Sequence, residues 1–243
     1  MGLKRLHHQS GIALGTIIFI IAVIALLAVA IAAGSSGFNA NTGTESAKVM
    51  AEAIINYADA VAMGLRKVRI DNSCDDLSIT TTQISFANPM DSSYANSYAP
   101  TNGSCNIFDP RGGGIVWSTV PTAALDGINT SGFDYGNYAI YDQQSLENTG
   151  AVTDGTGAGI DIILIVPYLS NAVCQQINQI VLNTRTIYTG NYVADANTSR
   201  HFHGTYWSSN PGYQIPFSQP EQCIYAQINS ALINIGYFLL MAR

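Results

Sequence analysis

Charged side chains are scarce in this chain of 243 residues. Asp, Glu, Lys and Arg make up only 11% of it, whereas ordinary soluble proteins contain about 25%. This low content excludes a disordered polyelectrolyte and a charged coiled coil. Ten basic residues against sixteen acidic ones give a net charge of −6, which excludes a basic surface for the backbone of nucleic acids. We therefore predict no nucleic-acid partner.

Catalytic motifs are missing as well. No serine lies in a Gly-x-Ser-x-Gly pattern, in which a tight turn would expose a nucleophile. The glycine-rich stretch 154–159 resembles a phosphate loop, but it precedes its predicted strand, whereas nucleotide-binding loops follow one. A tight turn or a loose calcium loop is the alternative for this stretch. We expect no enzyme and no cofactor.

A long uncharged stretch separates Arg5 from Glu45, and most of it is apolar. Residues 12–33 form a run of 22 residues that only one Gly and one Thr interrupt. As a helix this run measures about 33 Å, enough to cross a hydrocarbon core of about 30 Å. Basic residues precede the run and none follows until Lys48. The positive-inside rule therefore predicts a cytoplasmic N-terminus and an exported remainder.

Three interpretations of the run are open. A cleaved secretory signal would end at the small-x-small site 30–32, although the run is long for such a signal. An uncleaved membrane anchor is the second interpretation. The third depends on the start of the run, where a short basic leader ends in Gly11 and the apolar residues begin at once.

This third arrangement resembles the type IV pilin and pseudopilin superfamily, whose basic leader is cut after a Gly. The resemblance implies that a leader peptidase cuts between Gly11 and Ile12. It also implies that the helix carrying Ile20 and Ile24 first anchors the subunit and later packs inside a filament. Major pilins have a Glu five residues into the mature chain, where this sequence has Thr16. Some minor pseudopilins lack that Glu, so the difference favours a minor or divergent subunit.

A second helix is predicted after a turn-rich linker at 34–43. Thr42 and Glu45 have the spacing of a capping box, which marks a helix start. Apolar side chains then recur at steps of three and four residues, as on one face of a helix of about seven turns. These are Ala47, Met50, Ile54, Tyr57, Ala58, Val61, Leu65 and Val68. The basic cluster at 66–69 suits the negative end of the helix dipole.

From Asn72 onwards the pattern changes to short apolar stretches between Gly, Asn and Pro turns. It predicts strands at 78–86, 114–120, 138–142, 160–169, 187–193, 224–227 and 233–242, although the last could equally be a helix. A short helix through Leu182 would be capped by Ser170 or Asn171, with Val173, Ile177, Ile180 and Val181 inward. This pattern predicts an α+β fold, with the long helix packed on a mainly antiparallel sheet.

Four cysteines follow the apolar run, on the exported side where disulfides persist. We predict the sequential pairing, Cys74 with Cys105 and Cys174 with Cys223, because each pair brackets a turn-rich excursion. A zinc site is the rival, but no two cysteines have the spacing of a zinc knuckle. We therefore expect structural disulfides.

Two further groups of residues could bind a ligand. His201 and His203 could place two imidazoles on one side of a strand, with Asp195 as a third ligand, which is a weak pattern for a metal. Aromatic residues are dense between Phe202 and Tyr225, and Tyr206, Trp207 and Tyr213 form the predicted ligand face. Such side chains provide contact surface at low entropic cost, as subunit packing or attachment requires.

The predicted organisation is a basic leader at 1–11, a transmembrane helix at 12–33, a linker at 34–43 and an exported head at 44–243. We expect a structural subunit of a pilus-like or pseudopilus-like filament or secretion assembly, held in the inner membrane before assembly. Its head would lie in the periplasm or on an extracellular filament, and its partners would be further copies or other filament subunits. The alternatives are a membrane-anchored exported binding domain and a structural protein of a membrane-containing virus particle.

Overall fold

The apolar stripe that follows the linker lies on a long helix, α1, which covers residues 43–71 in a computed structural model. The structure describes residues 43–78, 81–88, 91–128, 130–132, 134–146, 161–194, 201–204, 214–215, 219–228 and 231–242. The predicted leader, transmembrane helix and cleavage site lie outside these ranges, as does the predicted ligand face. None of the helices that the structure describes is long and apolar enough to cross a membrane.

α1 buries one face along its whole described length. The buried side chains recur every three or four residues, as the sequence predicts, and they are Ala47, Ala51, Ile54, Ala58, Val61, Leu65 and Val68. Met50 and Tyr57 are partly buried beside them. These residues belong to one hydrophobic cluster with the second helix and one face of the sheet. At the end of α1, Arg69 lies 3.7 Å from the Asp75 carboxylate and 3.3 Å from the sulfur of Met241.

Five strands form a mixed sheet next to these helices. They are β1 (Ala139–Leu146), β2 (Asp161–Pro167), β3 (Tyr188–Ala194), β5 (Glu221–Ile228) and β6 (Ala231–Met241), in the order β3-β5-β6-β2-β1. A two-residue strand, β4 (Gln214–Ile215), pairs with the end of β1. The three central pairings are antiparallel, whereas β3 with β5 and β4 with β1 are parallel. The fold is therefore α+β, and its last element is a strand of a hairpin with β5.

Both faces of β2 are buried along its whole length, which explains why this strand is apolar at nearly every position. Alternate residues of a strand point to opposite faces. Ile162 and Leu164 accordingly join the cluster with the helices, whereas Ile163 and Ile165 join a second cluster with Tyr237. β2 ends at Pro167, two residues before the end predicted from the sequence, because proline has no N–H to continue the ladder.

The short helix, α2 (Asn171–Leu182), begins at the predicted cap. The Ser170 side chain accepts a hydrogen bond from the backbone N–H of Val173. Val173 and Ile177 are buried as expected and Val181 packs on the core. The sequence predicts that Ile180 faces inward, but the structure shows it 42% exposed. The disulfide-bonded Cys174 and the buried Asn178 lie on the face of α2 that packs on the core, and Ile180 lies to one side of that face.

Two predicted strands do not form. Residues 78, 81–86 and 114–120 lie in isolated bridges, bends and irregular segments, and no extended ladder joins them in the part of the chain that the structure describes. Asparagine side chains donate hydrogen bonds to backbone oxygens that a neighbouring strand would otherwise pair with. The Asn96 amide donates to the backbone oxygens of Thr82 and Ile84, and the Asn106 amide donates to that of Ala87. This satisfies backbone groups locally, so a ladder is not required.

Both predicted disulfides are present. Cys74 is bonded to Cys105 with Cα atoms 5.6 Å apart, and Cys174 to Cys223 with Cα atoms 5.3 Å apart. The first joins the end of α1 to the turn-rich segment, and the second joins α2 to β5. The sequential pairing predicted from the sequence is confirmed.

Residues Ala47–Arg243 form one compact unit that contains the sheet, α2 and nearly all of α1. The other unit, Met1–Ser46, is described only at residues 43–46, which are helical.

Replacing Asn178 by alanine should lower the free energy of unfolding by about 2 kcal/mol. Its buried amide donates to the backbone oxygens of Thr186 and Cys223 and accepts from the Cys223 N–H. Without it, two backbone groups of β5 lose their partner in the core. Urea denaturation would measure the change. Gln179→Ala is the matched control, because the bond that Gln179 donates to the Asn183 side chain is exposed at the surface. Equal stability of the two variants would contradict this role.

Candidate functional site

The segment that carries both histidines runs beside the start of β1. His201 forms a bridge with Tyr141, and the N–H of Phe202 donates to the backbone oxygen of Ile140 at 2.9 Å. Further along, β4 pairs with the last two residues of β1. The described residues on either side of 205–213 are thus both held on β1. The predicted ligand face lies within 205–213, outside the described residues.

His201 is fixed at both ring nitrogens. Its Nε2 lies 3.1 and 3.2 Å from the two carboxylate oxygens of Asp134. Its Nδ1 lies 2.5 Å from the hydroxyl oxygen of Ser93 and 3.3 Å from a carboxylate oxygen of Asp91. The imidazole is only 1% exposed and the Asp134 side chain 9%. Three segments distant in the sequence therefore meet at one buried imidazole.

Aromatic rings hold the imidazole in its plane. Tyr94 stacks on it with ring centroids 4.4 Å apart, and the Tyr141 ring meets it edge-on at 5.6 Å. The Tyr141 hydroxyl donates to Asp134 at 2.7 Å, and the Tyr94 hydroxyl accepts from the backbone N–H of Ile140. Burial raises the pKa of Tyr94 well above its ordinary value, and the nearby Asp134 carboxylate raises it further. The Tyr94 hydroxyl therefore stays neutral in this cluster.

The local backbone explains how the Ser93 side reaches the ring. Asp91 caps a short 3-10 helix, Ser92–Tyr94, by accepting the Ser93 N–H at 2.8 Å. The same aspartate is itself positioned by the Asn88 side chain, which accepts its N–H. On the other side, Asp134 has a left-handed backbone with φ of 58° inside a turn, which is a conformation that aspartate tolerates well.

The chemical capacity of this cluster follows from its geometry. Asp134, His201 and Ser93 stand in the order of a carboxylate, an imidazole and a hydroxyl, which is also the order of a hydrolase relay. Here, however, the imidazole is buried between two tyrosine rings, and the Asp91 carboxylate shares Nδ1 with the hydroxyl. The arrangement is suited to tying segments together. We interpret it as the anchor that holds residues 201–204 on the head.

The structure separates the two histidines that the sequence pairs as weak metal ligands. The Nδ1 of His203 donates to the backbone oxygen of His201 at 2.9 Å, while the His201 ring is bound by Asp134 and Ser93. Asp195 lies outside the described residues. Within the described ranges, no group of three His, Cys, Asp or Glu side chains could hold a metal ion.

Sequence reasoning missed the partners of His201. Asp134 and Ser93 lie 67 and 108 residues from it along the chain, and no periodic pattern connects such positions. One local signal was available, because Asp91 before a Ser-Ser pair is typical of a helix cap.

Comparison with known proteins adds no relative: the chain matches no protein-family model, no curated protein and no solved structure.

Proposed function

We propose that the chain is a structural subunit of a pilus-like or pseudopilus-like filament or secretion assembly, anchored in the inner membrane before it assembles. One observation carries the proposal: α1 starts directly after the linker that follows the apolar run 12–33, and it buries a continuous face in an α+β head. Because α1 is buried in the head, it connects the head firmly to the linker that follows the apolar run. A subunit pulled out of a membrane by its neighbours needs such a mechanical connection.

The two disulfides support an exported head. Disulfides persist in oxidising compartments such as the periplasm and the cell surface. Cys74–Cys105 fastens the segment after α1 close to the end of that helix. Force applied along α1 would thus reach a cross-linked segment. Thr16 in place of the Glu of major pilins supports a minor or divergent position in the assembly.

The leader provides the sharpest test. Intact-mass measurement of the protein from its native membrane should show that the first 11 residues are absent. Gly11→Leu should keep the full leader and abolish filaments seen by electron microscopy, because the bulky side chain blocks cleavage after residue 11. Gly34→Leu is the matched control, since it makes the same change at the far end of the apolar run and should leave processing unaltered.

Other results would contradict the proposal in distinct ways. A native protein that retains Met1 favours the virus-particle alternative or a plain anchor. A cut near Ala33 leaves a secreted domain without an anchor. Correct cleavage without any helically ordered assembly favours the exported binding domain.

A further inference from the structure

Three acceptor sequences for N-linked glycosylation, each of the form Asn-x-Ser, occur in the head. They begin at Asn102, Asn129 and Asn197, and the structure describes only the first of these asparagines. Asn102 is exposed and lies in a turn, three residues before the disulfide-bonded Cys105. Such a short motif is frequent in a chain rich in asparagine and serine, so the surroundings of the side chain decide whether it can be modified.

The Asn102 carboxamide is held at its oxygen and open at its nitrogen. Its Oδ1 accepts the backbone N–H of Ser104 at 3.0 Å. Its Nδ2, the atom that takes the sugar in N-linked glycosylation, makes no hydrogen bond to any of the described residues. The turn itself is fixed, because the N–H of Gly103 donates to the backbone oxygen of Pro100 at 3.2 Å. The reacting nitrogen is therefore presented to solvent by a segment with a defined conformation.

Neighbouring asparagines use the same nitrogen inside the head. The Nδ2 atoms of Asn72, Asn96 and Asn106 each donate to at least one backbone oxygen. A sugar on any of these three would replace an amide proton and crowd the backbone that these bonds hold. A sugar on Asn102 breaks no such bond, and its carbonyl oxygen stays available to the Ser104 N–H. Among these four asparagines, Asn102 alone can carry a sugar without a change in the fold.

We propose that Asn102 is an N-glycosylation site. In the transfer, Nδ2 forms a bond to the anomeric carbon of a sugar on a lipid phosphate carrier. The bond from that carbon to the phosphate oxygen breaks, the carrier leaves, and the amide loses one proton. Glycans are bulky and solubilising, which suits a chain with only 11% charged residues. The inference rests on the export of the head in the proposed function, and it does not require filament assembly.

Peptide mapping of the full protein from its native membrane tests the site. Trypsin releases residues 70–111 as one peptide, because Arg111 is the first Lys or Arg after Arg69. This peptide holds Asn102 and the whole Cys74–Cys105 disulfide. We expect its mass to rise by one or more sugar units, which fragmentation places on Asn102. An unmodified Asn102 beside an intact disulfide would overturn the site and leave export standing, whereas free thiols would contradict both.

Variants of the acceptor sequence separate this site from other modifications. Asn102→Gln should abolish the mass increase, because it displaces the acceptor nitrogen, and Ser104→Ala should do the same, because the acceptor sequence requires the hydroxyl. Ser104→Thr keeps that hydroxyl and should stay modified, as should Thr101→Ala, the matched control, which removes an exposed hydroxyl outside the sequence. The disulfide in the same peptide reports the folding of each variant. A sugar that persists in Asn102→Gln, or its loss from Thr101→Ala, would reject the assignment.

Discussion

Replacing Cys174 and Cys223 by alanine should lower the free energy of unfolding by about 4 kcal/mol, the largest change expected for any small alteration of this head. The bond closes a loop whose ends are 49 residues apart, so its removal restores much entropy to the unfolded chain. Both residues are fully buried, and the bond joins α2 to a strand of the sheet. Urea denaturation under non-reducing conditions would measure the loss.

The other disulfide is a matched control for this result. Cys74→Ala with Cys105→Ala opens a shorter loop, with ends 31 residues apart, and should cost slightly less in the chain-entropy model. Its loss should leave the sheet intact, because neither residue belongs to a strand. A change below about 1 kcal/mol for the Cys174 and Cys223 pair would show that the native bond stores an opposing strain or that the unfolded chain is already compact.

Elements with a local signal could be predicted from the sequence. β2 is apolar on both faces because both faces are buried, and its end coincides with Pro167. α2 begins where Ser170 can cap it. The stripe on α1 repeats at helical spacing and proves to be its buried face. In each case, the feature that specifies the element lies within a few residues of it.

The segment between α1 and β1 could not be predicted in the same way. Its apolar residues alternate as in strands, yet Ile84 and Phe86 are buried without a regular ladder. Asn96 and Asn106 provide the backbone hydrogen bonds from a distance of 10 residues or more. Asparagine is common in loops of every kind, so the sequence does not indicate which asparagines take this role.

The partners of His201 in the candidate site could not be predicted from the sequence either. The sequence draws attention to His201 through its neighbour His203, and this pairing suggests a metal. The structure instead gives His201 partners from two distant turns, Asp134 and Ser93. Only the folded sheet brings these turns together. A buried histidine and a ligand histidine have the same sequence pattern.

Replacing His201 by alanine should lower the free energy of unfolding by about 3 kcal/mol, because it leaves the Asp134 carboxylate buried without its main partner. The Tyr141 hydroxyl would remain bonded to it. The variant also removes the stacking contact with Tyr94. His203→Ala is the control: His203 is half-buried and donates one bond to a backbone oxygen, so about 1 kcal/mol or less is expected.

A double-mutant cycle decides whether His201 anchors its segment through Asp134. If it does, His201→Ala combined with Asp134→Ala should cost at least about 1 kcal/mol less than the sum of the two single variants, since the second change removes the stranded carboxylate. Simple additivity would contradict the pairing. Ser93→Ala extends the cycle to the other ring nitrogen, which still has the Asp91 carboxylate at 3.3 Å. Its cost should therefore be smaller than that of Asp134→Ala. The reverse order would place the main anchor of residues 201–204 on the Ser92–Tyr94 turn.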